Sequence, residues 1–244
     1  MVSLHGLFGS GNNLGALARS LQDRYAVHSL DLPNHGRSDW ADCADLPAMA
    51  EAVGDWMHHH GVPRAGFVGH SLGGKVAMQL ALKYPERVSA LVVADIAPVE
   101  YPAHHDQVFA ALEAVDAAAC ESREAAAALM EAHLEEKDVI QFLLTSLQRD
   151  SDGTFRWRFN LRGLQENYSA VRSAPTAASV YRGPVLFIKG GESNYITSAH
   201  RGRILSLFPA AEVRIMPGCG HWLHAQHPVL FNGIVGRFLD AQSS

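Results

Sequence analysis

Six short apolar runs recur along this chain, and longer stretches with helical periodicity lie between them. The runs are "VSLH", "AVHSLD", "AGFVGH", "VSALVVAD", "VLFIKG" and "AEVRIMP". Strands that alternate with helices pair in parallel, because each helix carries the chain back across the sheet and covers one of its faces. The intervals "NLGALARSLQDRY", "LPAMAEAVGDWMHHHG" and "GGKVAMQLALKYPERV" read as such helices, each closed by a glycine, a proline or a turn. The pattern predicts an α/β fold built on an open, mostly parallel, doubly wound sheet. With 244 residues, 48% of them hydrophobic, the chain has material for one sizeable core and an inserted element.

The alternation breaks once. From Pro98 to Arg182 an alanine- and glutamate-rich helical region, including "FAALEAVDAAACESREAAAALMEAHLEEKDVIQFLLTSL", stands between two strands. A connection of that length exceeds an ordinary crossover. The expected organisation is a core of residues 1–97 and 183–244 with a helical cap, 98–182, overhanging the carboxyl ends of the strands, where open α/β sheets bind ligands.

A formal charge of −5 without a lysine or arginine run leaves no electrostatic footprint for nucleic acid or anionic membrane. No apolar run is long enough to span a bilayer and no leader pattern opens the chain, so the expected location is cytoplasmic and the expected partner a small molecule. The three cysteines, Cys43, Cys120 and Cys219, read as reduced thiols rather than a disulfide framework or zinc site. His58 to His60 at the end of a helix point in different directions and read as polar groups near a helix C-terminus, with no metal implied.

The chemistry centres on "GHSLG". A Gly-x-Ser-x-Gly between a strand and a helix puts the serine in a sharp turn with its hydroxyl exposed at a helix N-terminus. Here "AGFVGH" precedes Ser71 and "GGKVAMQLALKYP" follows it. A nucleophilic serine needs a base, and the base needs an orienting acid. The base is expected at His221, which the glycine turn of "MPGCGHWLHAQHP" presents at a strand end; His224 reads as a structural hydrogen-bonding residue and His227 as a helix start. For the acid two strand ends qualify. Asp95 ends "VSALVVAD", and Glu192 lies in "KGGESNYIT"; the strand-terminal position favours Asp95. Oxyanion donors are expected from the amides of Leu72, after the serine, and Leu7, in the loop "HGLFGSGNN". Phe8, Trp222 and Trp157 are candidate walls of an acyl pocket, with Phe159 beside Trp157 on the cap. Cys219 reads as a small packing residue.

With those pieces in place, the chain resembles the α/β-hydrolase superfamily, and within it the small bacterial YbfF-type esterases. The likeness is carried by "HGLFGS", "NHG", "GHSLGGKVAM", "DIAPVEY", "EEKDVIQFLL", "RWRFNL", "LFIKGGESNYI" and "GHWLHA". The resemblance implies hydrolysis of short acyl esters, with acyl thioesters such as acyl-CoA as a further class, and no cofactor. It also implies an acid after the strand of "ADIAPVEY", here Asp95, and a serine, here Ser193, in the later loop where many such hydrolases carry aspartate. Two departures stand out. The hairpin that usually precedes "HGLFGS" is not in this sequence, and if Met1 is the true start "AVHSLD" is expected to be an exposed edge where a second copy could pair. Pro33 replaces an arginine common before "NHG", so a contact of that arginine is expected to be lost. Rival readings are a carbon–carbon hydrolase, lyase or perhydrolase with the same three residues, or a slow-turnover ligand receptor on the same fold.

Overall fold

The computed structural model describes residues 1–42, 44–151, 153–176 and 179–242; Cys43 lies outside them. Its strands are β1 (Val2–Leu4), β2 (His28–Leu30), β3 (Ala65–His70), β4 (Val88–Ala94), β5 (Leu147–Arg149), β6 (Phe155–Trp157), β7 (Val185–Gly190) and β8 (Ala211–Met216). Six of them form one sheet in the order β2-β1-β3-β4-β7-β8, every neighbouring pair parallel. All six expected apolar runs are therefore strands of one sheet.

Helices α1 (Gly15–Leu21), α2 (Leu46–His59) and α3 (Leu72–Lys83) fill the early crossovers. Period-two alternation sorts the strand side chains between two layers. On β4, Leu91 and Val93 join Phe67, Val185 and Phe187 beneath α2 and α3, whereas Ala90 and Val92 join Leu186 and Ile188 on the side of α1. In α2 the buried positions 46, 49, 50, 53, 54 and 57 trace one helical stripe, and the Asp45 carboxylate caps its start by accepting from the Ala48 N–H at 2.7 Å. At its far end the His59 and His60 Nδ1 atoms donate to the carbonyls of Asp55 and Trp56, one turn back, and the Trp56 carbonyl also accepts the His60 N–H at 3.1 Å.

Between β4 and β7 the chain forms α4 (Asp106–Ala118), α5 (Arg123–Met130), α6 (Lys137–Leu144), α7 (Leu161–Glu166) and α8 (Tyr168–Arg172). This segment has its own apolar cluster, centred on Phe109, Leu112, Met130, Leu143, Trp157 and Phe159. It also contains an antiparallel ribbon, β5 with β6, where the sequence suggested only helix. Three-residue strands complete little more than one alternation, too little to register as a period. The chain closes with α9 (Arg201–Leu207), α10 (Leu223–Gln226) and α11 (Pro228–Ala241), the last beginning directly after His227, where the sequence placed a helix start. Among the described residues no helix is long and apolar enough to cross a membrane.

Candidate active site

Ser71 sits between the end of β3 and the start of α3 with φ 51° and ψ −117°, a left-handed conformation that a side chain adopts only under constraint. The constraint is the crossing of backbone on backbone. A Cβ on Gly69 would lie 2.3 Å from the Gly73 carbonyl oxygen, and one on Gly73 would lie 2.3 Å from that of Leu4. The glycines of "GHSLGG" are thus required by packing, and the turn is locked by the Ser71 N–H donating to the Ala94 carbonyl at 3.0 Å. Gly69→Ala is expected to lower the melting temperature by roughly 5–10 °C, the scale of an overpacked core. A thermal melt checks it, and an unchanged melt would mean the elbow can relax.

Asp95 follows β4 directly and is fully buried. Its Oδ1 accepts the Gly190 N–H at 2.9 Å, and its Oδ2 accepts the Ser193 hydroxyl and, at 2.8 Å, the His221 Nδ1–H. Three donors on one carboxylate hold it as an acceptor. His221 lies beyond β8, after a turn in which Gly218 has φ 68°. Because its Nδ1 donates to Asp95, its Nε2 is left as the basic nitrogen of the neutral ring. Ser71 and His221 line the same cavity, of about 510 Å³, together with Leu7, Phe8, Leu72 and Trp222. Among the described residues the N–H groups of Leu7 and Leu72 meet no acceptor, whereas the neighbouring Phe8 N–H is taken by His35 Nε2 at 3.3 Å.

The model of the alpha/beta hydrolase family matches residues 1–234 of this chain. The chain belongs to the α/β-hydrolase family. It is 39% identical over 241 residues to esterase YbfF of Escherichia coli K12, covering 98% of this chain and 92% of that protein. It is 37% identical over 247 residues to the mouse sn-1-specific diacylglycerol lipase ABHD11, covering 98% of this chain and 80% of that one. Among solved structures, a marine microorganism esterase superposes with a TM-score of 0.94 at 34% identity, covering 97% of this chain and 94% of its own.

Within this α/β-hydrolase the other expected positions separate. Glu192 is exposed; its N–H donates to the Cys219 carbonyl at 2.9 Å, and no hydrogen bond joins it to His221 among the described residues. Trp157 does not line the cavity. It stacks on Phe159 at 5.3 Å and gives its indole N–H to the Leu112 carbonyl at 3.1 Å, so both aromatics pack the interior of the segment between β4 and β7. Once a tryptophan's N–H finds a buried acceptor, the ring can be interior. Phe8 and Trp222 do line the cavity, Trp222 against Phe142 of α6. Cys219 is buried, and burial pushes its thiol pKa up, which leaves it a packing residue. His224 departs from its expected role: its Nδ1 is buried with no hydrogen-bond partner among the described residues, its ring packs on His70, and burial pulls its pKa down to about 4.

Sequence reasoning missed the histidines that set the loops. His35 of "NHG" donates from Nδ1 to the Pro33 carbonyl at 2.9 Å and accepts the Phe8 N–H, so Pro33 contributes through its backbone. Burial drives the His35 pKa down to about 3, which keeps the ring neutral and able to accept. Phe8, at φ 62°, is pinned from the other side by Ser146, whose hydroxyl donates to its carbonyl at 2.7 Å. His70 Nε2 donates to the His221 carbonyl at 2.9 Å, tying the end of β3 to the loop beyond β8.

Proposed function

We propose that the chain is a serine carboxylesterase acting on short-chain acyl esters, with acyl thioesters as a second substrate class. The reading is carried by the His221 imidazole, which gives Nδ1–H to a buried carboxylate at 2.8 Å and faces the cavity it shares with Ser71. In this reading His221 Nε2 takes the Ser71 proton as Oγ attacks the ester carbonyl. The oxyanion of the tetrahedral intermediate receives the N–H groups of Leu7 and Leu72. Collapse of the intermediate breaks the bond to the alcohol, which leaves with the proton from His221. Water, giving its proton to the same nitrogen, then attacks the acyl-serine; collapse frees the acid and returns the proton to Ser71. Its affinity to proteins named as esterases and a lipase supports the same reaction class.

The walls of the cavity support this substrate class. Val108, Leu134, Val139, Phe142, Leu143 and Trp222 give the cavity apolar lining, and a volume of about 510 Å³ suits a small ligand. Hydrolysis of p-nitrophenyl esters from acetyl to palmitoyl is expected to peak at short chains and to fall at least about tenfold by twelve carbons, as each methylene beyond the cavity loses its burial. The same series as coenzyme A thioesters separates the two classes: faster turnover of thioesters would make the protein an acyl-CoA hydrolase. No hydrolysis of any ester by the wild type would overturn the reading in favour of carbon–carbon bond cleavage or ligand binding.

A further inference from the structure

Tyr195, in the loop after β7, lies flat on the His221 imidazole, with ring centroids 4.0 Å apart and planes 21° from parallel. It is held at each of its ends. Its N–H donates to Ser193 Oγ at 3.1 Å, and Ser193 in turn donates to Asp95. Its carbonyl accepts the Tyr101 hydroxyl at 2.5 Å, while that hydroxyl oxygen accepts the Ala97 N–H at 2.9 Å. Its own hydroxyl reaches His104, on the segment leading into α4, at 2.7 Å from Nε2. Because His104 Nδ1 donates to the Pro102 carbonyl, the Nε2 of the neutral ring accepts, and the Tyr195 O–H donates. One face of the imidazole is therefore covered by a ring whose position is set by the carboxylate's own partner on one side and by the segment above the sheet on the other.

A stack of this kind favours one protonation state. The face of a phenol ring is negative and attracts a cation placed over it, so it gains energy when the imidazole takes a proton. We propose that Tyr195 is a positioning residue for the base: it holds the His221 ring in the plane that bonds Asp95 and stabilises the imidazolium formed during proton transfer. The proposal rests on the reading of His221 as base. The other groups around that ring carry little charge to compete. Burial keeps His70, His224 and His105 neutral, the last two with pKa values near 4 and 3, and raises the Tyr195 phenol so that it stays protonated. Asp95 is the carboxylate in contact, and Lys75, Glu136, Asp138 and Arg172 stand elsewhere on the cavity wall.

The test compares Tyr195→Phe, which keeps the ring and loses the bond to His104, with Tyr195→Leu and Tyr195→Met, which lose the ring. A group that stabilises the protonated base raises the pH at which the proton leaves, so its removal moves the acidic limb of kcat/KM to lower pH. The ring-less variants are expected to shift that limb by about half a pH unit and to lower kcat about tenfold, with KM within threefold. The phenylalanine variant is expected to keep the limb. The His221 titration, followed by NMR in the free protein, should move in the same way and needs no turnover. Unmoved titrations in both ring-less variants, or a phenylalanine variant that shifts as far as they do, would overturn the proposal even if kcat falls. Should the wild type hydrolyse no ester while the titrations still separate phenylalanine from leucine, the esterase reading fails and the stack stands.

Discussion

Ser71→Ala is expected to abolish turnover of p-nitrophenyl butyrate, with kcat/KM falling by more than about a thousandfold, while the protein melts within a few degrees of wild type. Both halves follow from the elbow. Alanine keeps the Cβ that the left-handed backbone already accommodates, and the Ser71 N–H and carbonyl keep their partners, Ala94 and Lys75. Only the oxygen is lost. In the proposed mechanism that oxygen forms the covalent bond, so the remaining donors at Leu7 and Leu72 could polarise a carbonyl but could not supply a nucleophile. The measurement is steady-state hydrolysis beside circular dichroism of the same sample. A folded variant within tenfold of wild type would remove Ser71 from the mechanism and leave the cavity without an assigned nucleophile.

The strands were readable because each is an apolar run with a turn at its end, and the elbow because backbone crossing demands glycine at fixed offsets from Ser71. Asp95 was readable for a related reason: it stands at the strand terminus, where the sheet itself sets the position. What escaped is what distance in sequence hides. His35 acts on Phe8 from 27 residues away, and Tyr195 on His221 from the far side of β8, so no local pattern marks either. Trp157 was misplaced for the opposite reason: a tryptophan suits a pocket, and only the neighbouring Leu112 and Phe159 decide that it is interior. His224, expected to form structural hydrogen bonds, packs its ring on His70, and its buried Nδ1 meets no hydrogen-bond partner among the described residues. The β5–β6 ribbon is too short to show its period against the helical segments around it.

Asp95→Asn is expected to lower kcat by about ten thousandfold, whereas Glu192→Gln should leave it within about twofold. The difference is one of hydrogen-bond inventory. The Asp95 carboxylate accepts from Gly190, Ser193 and His221 and donates to none of them. An asparagine amide brings two N–H donors to the same place, and one end must face a group that also donates. The backbone N–H of Gly190 is fixed, so the amide oxygen is retained there and its nitrogen turns toward Ser193 and His221. Serine can rotate its hydroxyl to accept. Imidazole can accept at Nδ1 only by moving its proton to Nε2, and that tautomer presents the Ser71 hydroxyl with a donor instead of a base. The loss should therefore appear in kcat rather than KM, and the protein should stay folded because the amide keeps the shape and two of the three contacts. Glu192 makes no such contact; its side chain is exposed, and its backbone N–H bond to Cys219 survives the change. Steady-state kinetics of the two variants on one ester decides the matter. A larger loss in Glu192→Gln would move the acid to the loop after β7, which would have to fold inward past Ser193 to reach the imidazole.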